Sequence, residues 1–302
     1  MLESRARRRA LLLLAVLLIV PMAQGAEAGG QRGQQAPAAP RKLVLVDRAG
    51  TQTVIGEVPS NTWGPRVSPD GRRLAFTLTG GARVDDNLYV APLMNPADAR
   101  AIGSGRNPFW SHDGTRMFFS KAGTEILMWR RVEGAVEGEQ LVTPARAPES
   151  LSRDGRILSY VQSVDNVFSG WTLDLTTRTR TQIPDSGPEA LGTSISPDGR
   201  WIAYQSTKSG RYEVWVQPLG RPGPAVQVTT QGALRPLWSA DMRDMFFDEG
   251  KQQLWAVPIR TEPTFTVAGA PVALPIKGFV QTGVGRRMYD LLPDGRFVMI
   301  FP

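Results

Sequence analysis

Six aspartates recur along the 302 residues at nearly even spacing: Asp70, Asp113, Asp154, Asp198, Asp241 and Asp294, at intervals of 43, 41, 44, 43 and 53. Carboxylates act as general acids and bases, or hold cations, when two or more converge on one atom. A residue repeated once per structural unit stands at as many places as there are units, so these six read as scaffold. Neither Asp85 with Asp86 nor Asp165 with Asn166 sits in a recognisable calcium loop. A second recurrent set is cationic. Arg106, Arg146, Arg235, Arg286 and Arg287 each precede the Ser position of their own repeat by four to six residues, and Arg66 precedes its Ser by two. Guanidinium groups gathered in a concave site attract carboxylates. Glu149 and Glu189 lie among them and would partly neutralise the set, and Trp63 occupies a similar position. Without such convergence, these arginines are scattered surface charge.

Other chemistries are poorly supplied. Cysteine is absent and His112 is the single histidine, which excludes disulfides, thiolate nucleophiles, Cys-ligated zinc and multi-His metal sites. No G-x-S-x-G elbow is present, and His112 sits in a turn, where a variant solvent-facing residue is the simpler reading. No catalytic residue, metal or cofactor is expected. An enzyme reading would need Glu149, Glu189 or Asp290 to pair near an axis.

What can converge depends on the elements around these residues. The aspartates belong to RVSPDGRRLAFTL from Arg66, FWSHDGTRMFFSK from Phe109, SLSRDGRILSYVQ from Ser150, SISPDGRWIAYQS from Ser194, LWSADMRDMFFDE from Leu237 and DLLPDGRFVMIFP from Asp290. Pro presets φ, Asp accepts local N–H groups and Gly takes positive φ, so each segment is a strand, a tight turn and a second strand. Met242 replaces Gly in the fifth turn, which predicts strain or a different turn. Third strands recur as NLYVAPL, EILMWRRV, GWTLDLT, YEVWVQPL and QQLWAVPI, and fourth strands as EQLVTP, RTQIPDS, AVQVTTQ and APVALPI. A period near 43 with four short strands is the size of a propeller blade. The recurring aromatics, Trp110, Trp129, Trp215, Trp238 and Trp255 among them, then fill the space between blades.

The chain ends complete the count. KLVLVDRAG from Lys42 and TQTVIGEV from Thr51 supply a third and a fourth strand, and the last repeat stops after two. The sequence therefore predicts an all-β, six-bladed β-propeller of four-stranded antiparallel blades, its last blade closed by N- and C-terminal strands. Closure removes two free sheet edges. A five-bladed ring with stray terminal strands is the alternative. In a propeller the first strand of each blade lines the central channel, so the arginines that precede it can meet at one mouth.

Arg5 to Arg9, the apolar stretch ALLLLAVLLIV from Ala10, and Ala26-Glu27-Ala28 have the layout of a secretory signal peptide over residues 1–28. The apolar stretch is short against the ~20 residues of a membrane span, and a retained anchor is the alternative. Residues 29–41 (GGQRGQQAPAAPR) read as a flexible linker, and 42–302 as one propeller domain. Net charge is +7 without a long basic run after residue 9, which argues against nucleic acid.

Trp110-Ser111, Trp238-Ser239 and the Pro-Asp-Gly turns at Pro69, Pro197 and Pro293 resemble the TolB-like propeller family, whose WD-like repeats carry Trp-Ser-Pro-Asp-Gly. The resemblance spans residues 42 to 302. The stretch QQLWAVPIRTEPTFTVAGAPVALP and RRMYDLLPDGRFVMI is also similar to sensor propellers of bacterial Ser/Thr kinases. The docking domain of TolB, a kinase domain and an α/β-hydrolase domain are not recognised in these residues. The resemblance thus implies a fold and a binding habit rather than an activity. It implies a monomeric periplasmic or secreted binding module for a protein or peptide of the bacterial envelope, acidic if the arginines converge. It would touch the membrane only through an uncleaved signal segment. A propeller lyase or hydrolase with a channel-mouth site, or an accessory subunit of an envelope complex, are the alternatives.

Overall fold

Each repeat folds as its alternation dictates, into an antiparallel sheet whose first strand is innermost. The computed structural model describes residues 39–80, 86–134, 138–283 and 285–302. The expected signal peptide, most of the linker and Asp85 lie outside the described residues. Arg41, the last residue assigned to the linker, already opens a strand.

Six sheets are arranged as a propeller. Blade one runs through Thr62–Val67, Arg73–Leu78, Asn87–Pro92 and Arg100–Ser104. The innermost strands of blades two to five are Arg106–Trp110, Ala147–Leu151, Leu191–Ile195 and Leu234–Trp238. Blade six is shared. Tyr289–Leu291 and Phe297–Phe301 supply its inner half, Arg41–Val46 and Gln52–Val58 its outer half, with Lys42 opposite Phe301 and Val46 opposite Phe297. The five-bladed alternative is thereby set aside. The long fifth interval has a local cause. The outer strand of blade five is broken into Thr266–Val267 and Val272–Lys277, both paired with Gln253–Arg260.

The turn aspartates bond within their own turns. In blade one Ser68 Oγ donates to Asp70 Oδ1 (2.5 Å) and accepts from the Arg73 N–H (2.9 Å), while Asp70 Oδ1 accepts from the Arg72 N–H (3.1 Å). The Ser–Asp bond recurs at Asp113, Asp154, Asp198 and Asp241. At the sixth turn Leu292 replaces Ser, and Asp294 instead holds the Arg296 guanidinium at 2.7 Å. Ser hydroxyl and N–H donors keep the carboxyls of Asp70, Asp154 and Asp241 below the usual range, and that of Asp113 at about 2. Met242 does take the left-handed conformation, at φ 58°.

Side chains between blades form the core. Trp110 and Trp238 add a polar tie. Their indole N–H groups donate to Arg66 O (3.0 Å) and Ser194 O (2.9 Å) on the innermost strand of the preceding blade. Trp201, unplaced by its sequence, is buried against Phe265, with ring centroids 5.7 Å apart. Among the described residues no helix is long and apolar enough to cross a membrane.

Candidate functional site

The innermost strands carry a shared irregularity. Five shift register partway: between Trp63 and Arg66, Arg106 and Phe109, Pro148 and Ser150, Leu191 and Ser194, and Leu234 and Leu237. Four of these bulges use a positive φ, at Gly64 (58°), Asn107 (56°), Gly192 (65°) and Arg235 (58°). A bulge bends its strand and re-aims side chains. Here it also turns the local N–H toward the preceding blade. Asn107 N donates to Thr77 Oγ1 (3.2 Å), Gly192 N to Glu149 Oε1 (2.8 Å) and Arg235 N to Gln205 Oε1 (2.7 Å).

Beside the bulges lies a cavity of about 250 Å³, at the end of the channel where the innermost strands begin. Arg106, Arg146, Arg235, Arg286, Arg287 and Trp63 all line it, so the residues singled out in the sequence converge on one cavity. A second cavity, about 560 Å³, opens at the opposite end. The residues after the Ser position frame it: Pro69, His112, Arg153, Pro197, Ala240 and Pro293. Arg66, Glu149 and Arg287 line both cavities and form a waist between them.

The arginines are not equivalent. Arg235 is 2% exposed, and its Nε and Nη2 bind Asp248 at 2.8 and 2.6 Å. Its Nη1 donates to the carbonyls of Thr282, Gly283 and Arg286. This guanidinium is part of the wall, which corrects its expected place among the ligand-facing charges. Arg146 pairs with Glu125 at 2.9 Å. The Arg286 guanidinium lies 5.8 Å from the centre of the Trp63 ring. Arg287 donates to Tyr289 O and Asp290 Oδ1, each at 3.0 Å, and Asp290 Oδ2 accepts from the Val67 N–H at 2.9 Å. Arg106 is buried in the cavity wall.

Two half-buried charges meet at the waist. Burial, reinforced by Arg287, lowers the Arg66 guanidinium to about 10. Burial pushes the Glu149 carboxyl up to about 7, against the pull of Thr193, Gly192 and Arg287. Glu149 Oε2 accepts from Thr193 N and Thr193 Oγ1, both at 2.6 Å. Glu149 is the one acid among the described residues lining the basic cavity. Glu189 lies outside both linings and accepts from Tyr212 Oη at 2.9 Å. Glu149, Glu189 and Asp290 each have their own donors. Among the described residues no group of three or more His, Asp and Glu side chains could hold a metal ion. His112 is exposed, as expected, although its Nε2 lies 2.7 Å from Ser152 O of blade three.

No sequence pattern marks Asp248, and the sequence sets Arg66 beside the other arginines rather than among the site residues. The signal for Arg66 was its place two residues before Ser68, on the strand that lines the channel.

No protein-family model matches the chain. An uncharacterized protein of Agrobacterium fabrum is 31% identical over 180 residues, or 56% of this chain, and the chain spans 58% of that relative's length. Among solved structures, a putative TolB from Agrobacterium tumefaciens superposes with a TM-score of 0.68 at 19% identity, covering 87% of this chain and 99% of that one. TolB from Acinetobacter baumannii gives 0.60 at 16% identity, covering 82% and 64%. The fold is TolB-like. Oligogalacturonate lyase from Vibrio parahaemolyticus gives 0.52 at 13% identity, covering 87% and 98%, so the same architecture also serves an enzyme.

Proposed function

We propose that the protein is a non-catalytic binding propeller of the bacterial envelope, which receives the carboxylate of a protein or peptide partner at its basic channel mouth. The observation that carries this reading is the convergence of Arg66, Arg106, Arg146, Arg286 and Arg287 on one cavity whose lining, among the described residues, includes a single acid. Several guanidinium groups in a concave, partly dehydrated site produce a field that a carboxylate relieves. The secretory layout of the N-terminus and the TolB-like fold support a periplasmic or secreted location. They equally suit an accessory subunit of an envelope complex.

Calorimetric titration with a glutamate-rich peptide, against a lysine-rich control, tests the proposal. The acidic peptide is expected to bind, more weakly as salt rises. Arg286→Ala and Arg146→Ala are each expected to weaken it at least fivefold. Unchanged affinity in both variants overturns the basic-mouth reading. Arg235→Ala is a poor probe, because it breaks the wall.

One observation favours a second reading, that of a channel lyase. The Glu149 carboxyl, at about 7, is suited to proton transfer beside two guanidinium groups that can steady an anion. Turnover of an acidic polysaccharide that is lost in Glu149→Gln would support it, and no turnover would remove it.

A further inference from the structure

Three features of the mouth bear on which carboxylate it takes. The first is size. About 250 Å³ is below the ~300–1,000 Å³ of pockets that enclose a drug-sized ligand. It can admit the end of a chain, whereas a folded surface or a strand passing through would not fit.

The second is depth. Arg66, Glu149 and Arg287 line this cavity and the opposite one alike, so the two arginines stand at its floor, where the two cavities meet. A ligand must therefore carry its charge at its leading end. An α-carboxylate sits on the last atoms of a chain. An internal Asp or Glu reaches inward only on a short stem, with its chain running both ways across the rim.

The third is the rim. In blade three, Ile157–Val164 and Val167–Asp174 form the hairpin. Its neighbour Ala147–Leu151 pairs only as far as Val161, so the hairpin runs past the start of the innermost strand. Asp165 and Asn166, at φ 49° and 63°, make the two-residue turn that favours a rigid tip. Val164 and Val167 pair across that tip and are 54% and 48% exposed, while the next residue, Phe168, lines the cavity. Apolar surface thus leads from the tip to the basic mouth.

We infer that the mouth captures the C-terminal carboxylate of a partner polypeptide, with the apolar residues just before that terminus packed on the blade-three hairpin. This rests on the binding reading above and narrows it to a chain end. The carboxylate meets Arg66 and Arg287 at the floor and passes Arg106 and Arg286 on the way in. Recognition combines charge-assisted hydrogen bonds for the terminus with apolar contact for its neighbours, a recurrent way of reading chain ends.

Three degenerate octapeptide pools, offered to the immobilised protein and read by mass spectrometry, test the inference. One pool has free C-termini. The second is the same pool amidated. The third is amidated and enriched in internal Asp and Glu. The free-acid pool should be retained at least tenfold over its amide, with apolar residues favoured just before the terminus. Val164→Ser with Val167→Ser should erase the apolar preference and leave thermal unfolding unchanged. Arg66→Ala should erase the preference for the free acid, and Arg66→Lys, which keeps the charge, should restore part of it. Equal retention of acid and amide pools overturns the inference. Retention led by the third pool also overturns it but leaves the acidic-partner reading standing. If no pool is retained, both fall.

Discussion

Arg235 and Glu149 are charged groups in the wall of one channel, and their surroundings give them opposite roles. The Arg235 guanidinium is buried against Asp248, itself fully buried, and Tyr289 Oη lies 3.3 Å from the same carboxylate. Removing one partner of such a pair leaves an uncompensated charge, at a cost of about 3–5 kcal/mol. Asp248→Asn is therefore expected to destabilise the fold by that amount in urea denaturation, and a loss below about 1 kcal/mol would contradict a structural Arg235. Glu149 instead keeps its carboxyl near 7, above the ordinary 4.5. The folded state then binds this proton more tightly than the unfolded state. The carboxyl's contribution lowers stability as pH rises from about 4.5 to about 7, with no further change above that. Glu149→Gln should flatten that slope in pH-dependent denaturation. The same ionisation adds a negative charge to the waist, so an acidic peptide should bind more tightly at pH 6 than at pH 8, and Glu149→Gln should remove that difference. The arginine pattern was legible in sequence because it recurs with the repeat. The fate of Arg235 was not, because Asp248 lies 13 residues on and meets it only through the register that sets Leu234 opposite Asp248.

At the scale of the element, two devices tie each innermost strand to its neighbours, and they differed in legibility. The Ser–Asp turn was readable because its chemistry is local, with all its partners within five residues. The bulge was not readable. Gly64 and Gly192 are glycine but Asn107 and Arg235 are not, so no one residue type marks the position, and their N–H groups find acceptors outside their own blades. The Trp-Ser pair falls between these cases. Its recurrence exposed the repeat, but the reason for tryptophan is a hydrogen bond across the blade boundary. Trp238→Phe keeps most of the ring packing while leaving Ser194 O without its indole donor. It is expected to cost about 1–3 kcal/mol, the penalty of an unsatisfied buried polar group, read as a lower urea midpoint. A neutral result would show that the tryptophan serves packing alone.

At the scale of the molecule, the ring is held shut by a strand from the far end of the chain. Arg41–Val46 pairs with Phe297–Phe301, and its side chains split between two interfaces. Leu43 and Leu45 pack with Leu74 and Phe76 of blade one, while Val44 and Val46 pack with Phe246 and Leu254 of blade five. This strand thus seals blade six to both neighbours, and the six-blade count could be read from sequence because the missing halves summed to one blade. Each of these four residues is at most 2% exposed. Burying one such side chain contributes about 1.5–3 kcal/mol, so together they rival the ~5–15 kcal/mol net stability of a whole domain. Deleting residues 39–58 should therefore do more than lower a melting temperature. It would bare the edge of Phe297–Phe301 and uncover both interfaces, leaving an open ring prone to edge-to-edge association. The expected result is loss of a single cooperative thermal transition together with aggregation, both relieved by adding a peptide of residues 39–58 in trans. Rescue should need the apolar side chains, so a peptide with Val44→Ser and Leu45→Ser should fail. A truncated protein that stayed monomeric and melted cooperatively near the full-length temperature would show that the five remaining blades and one hairpin close without it.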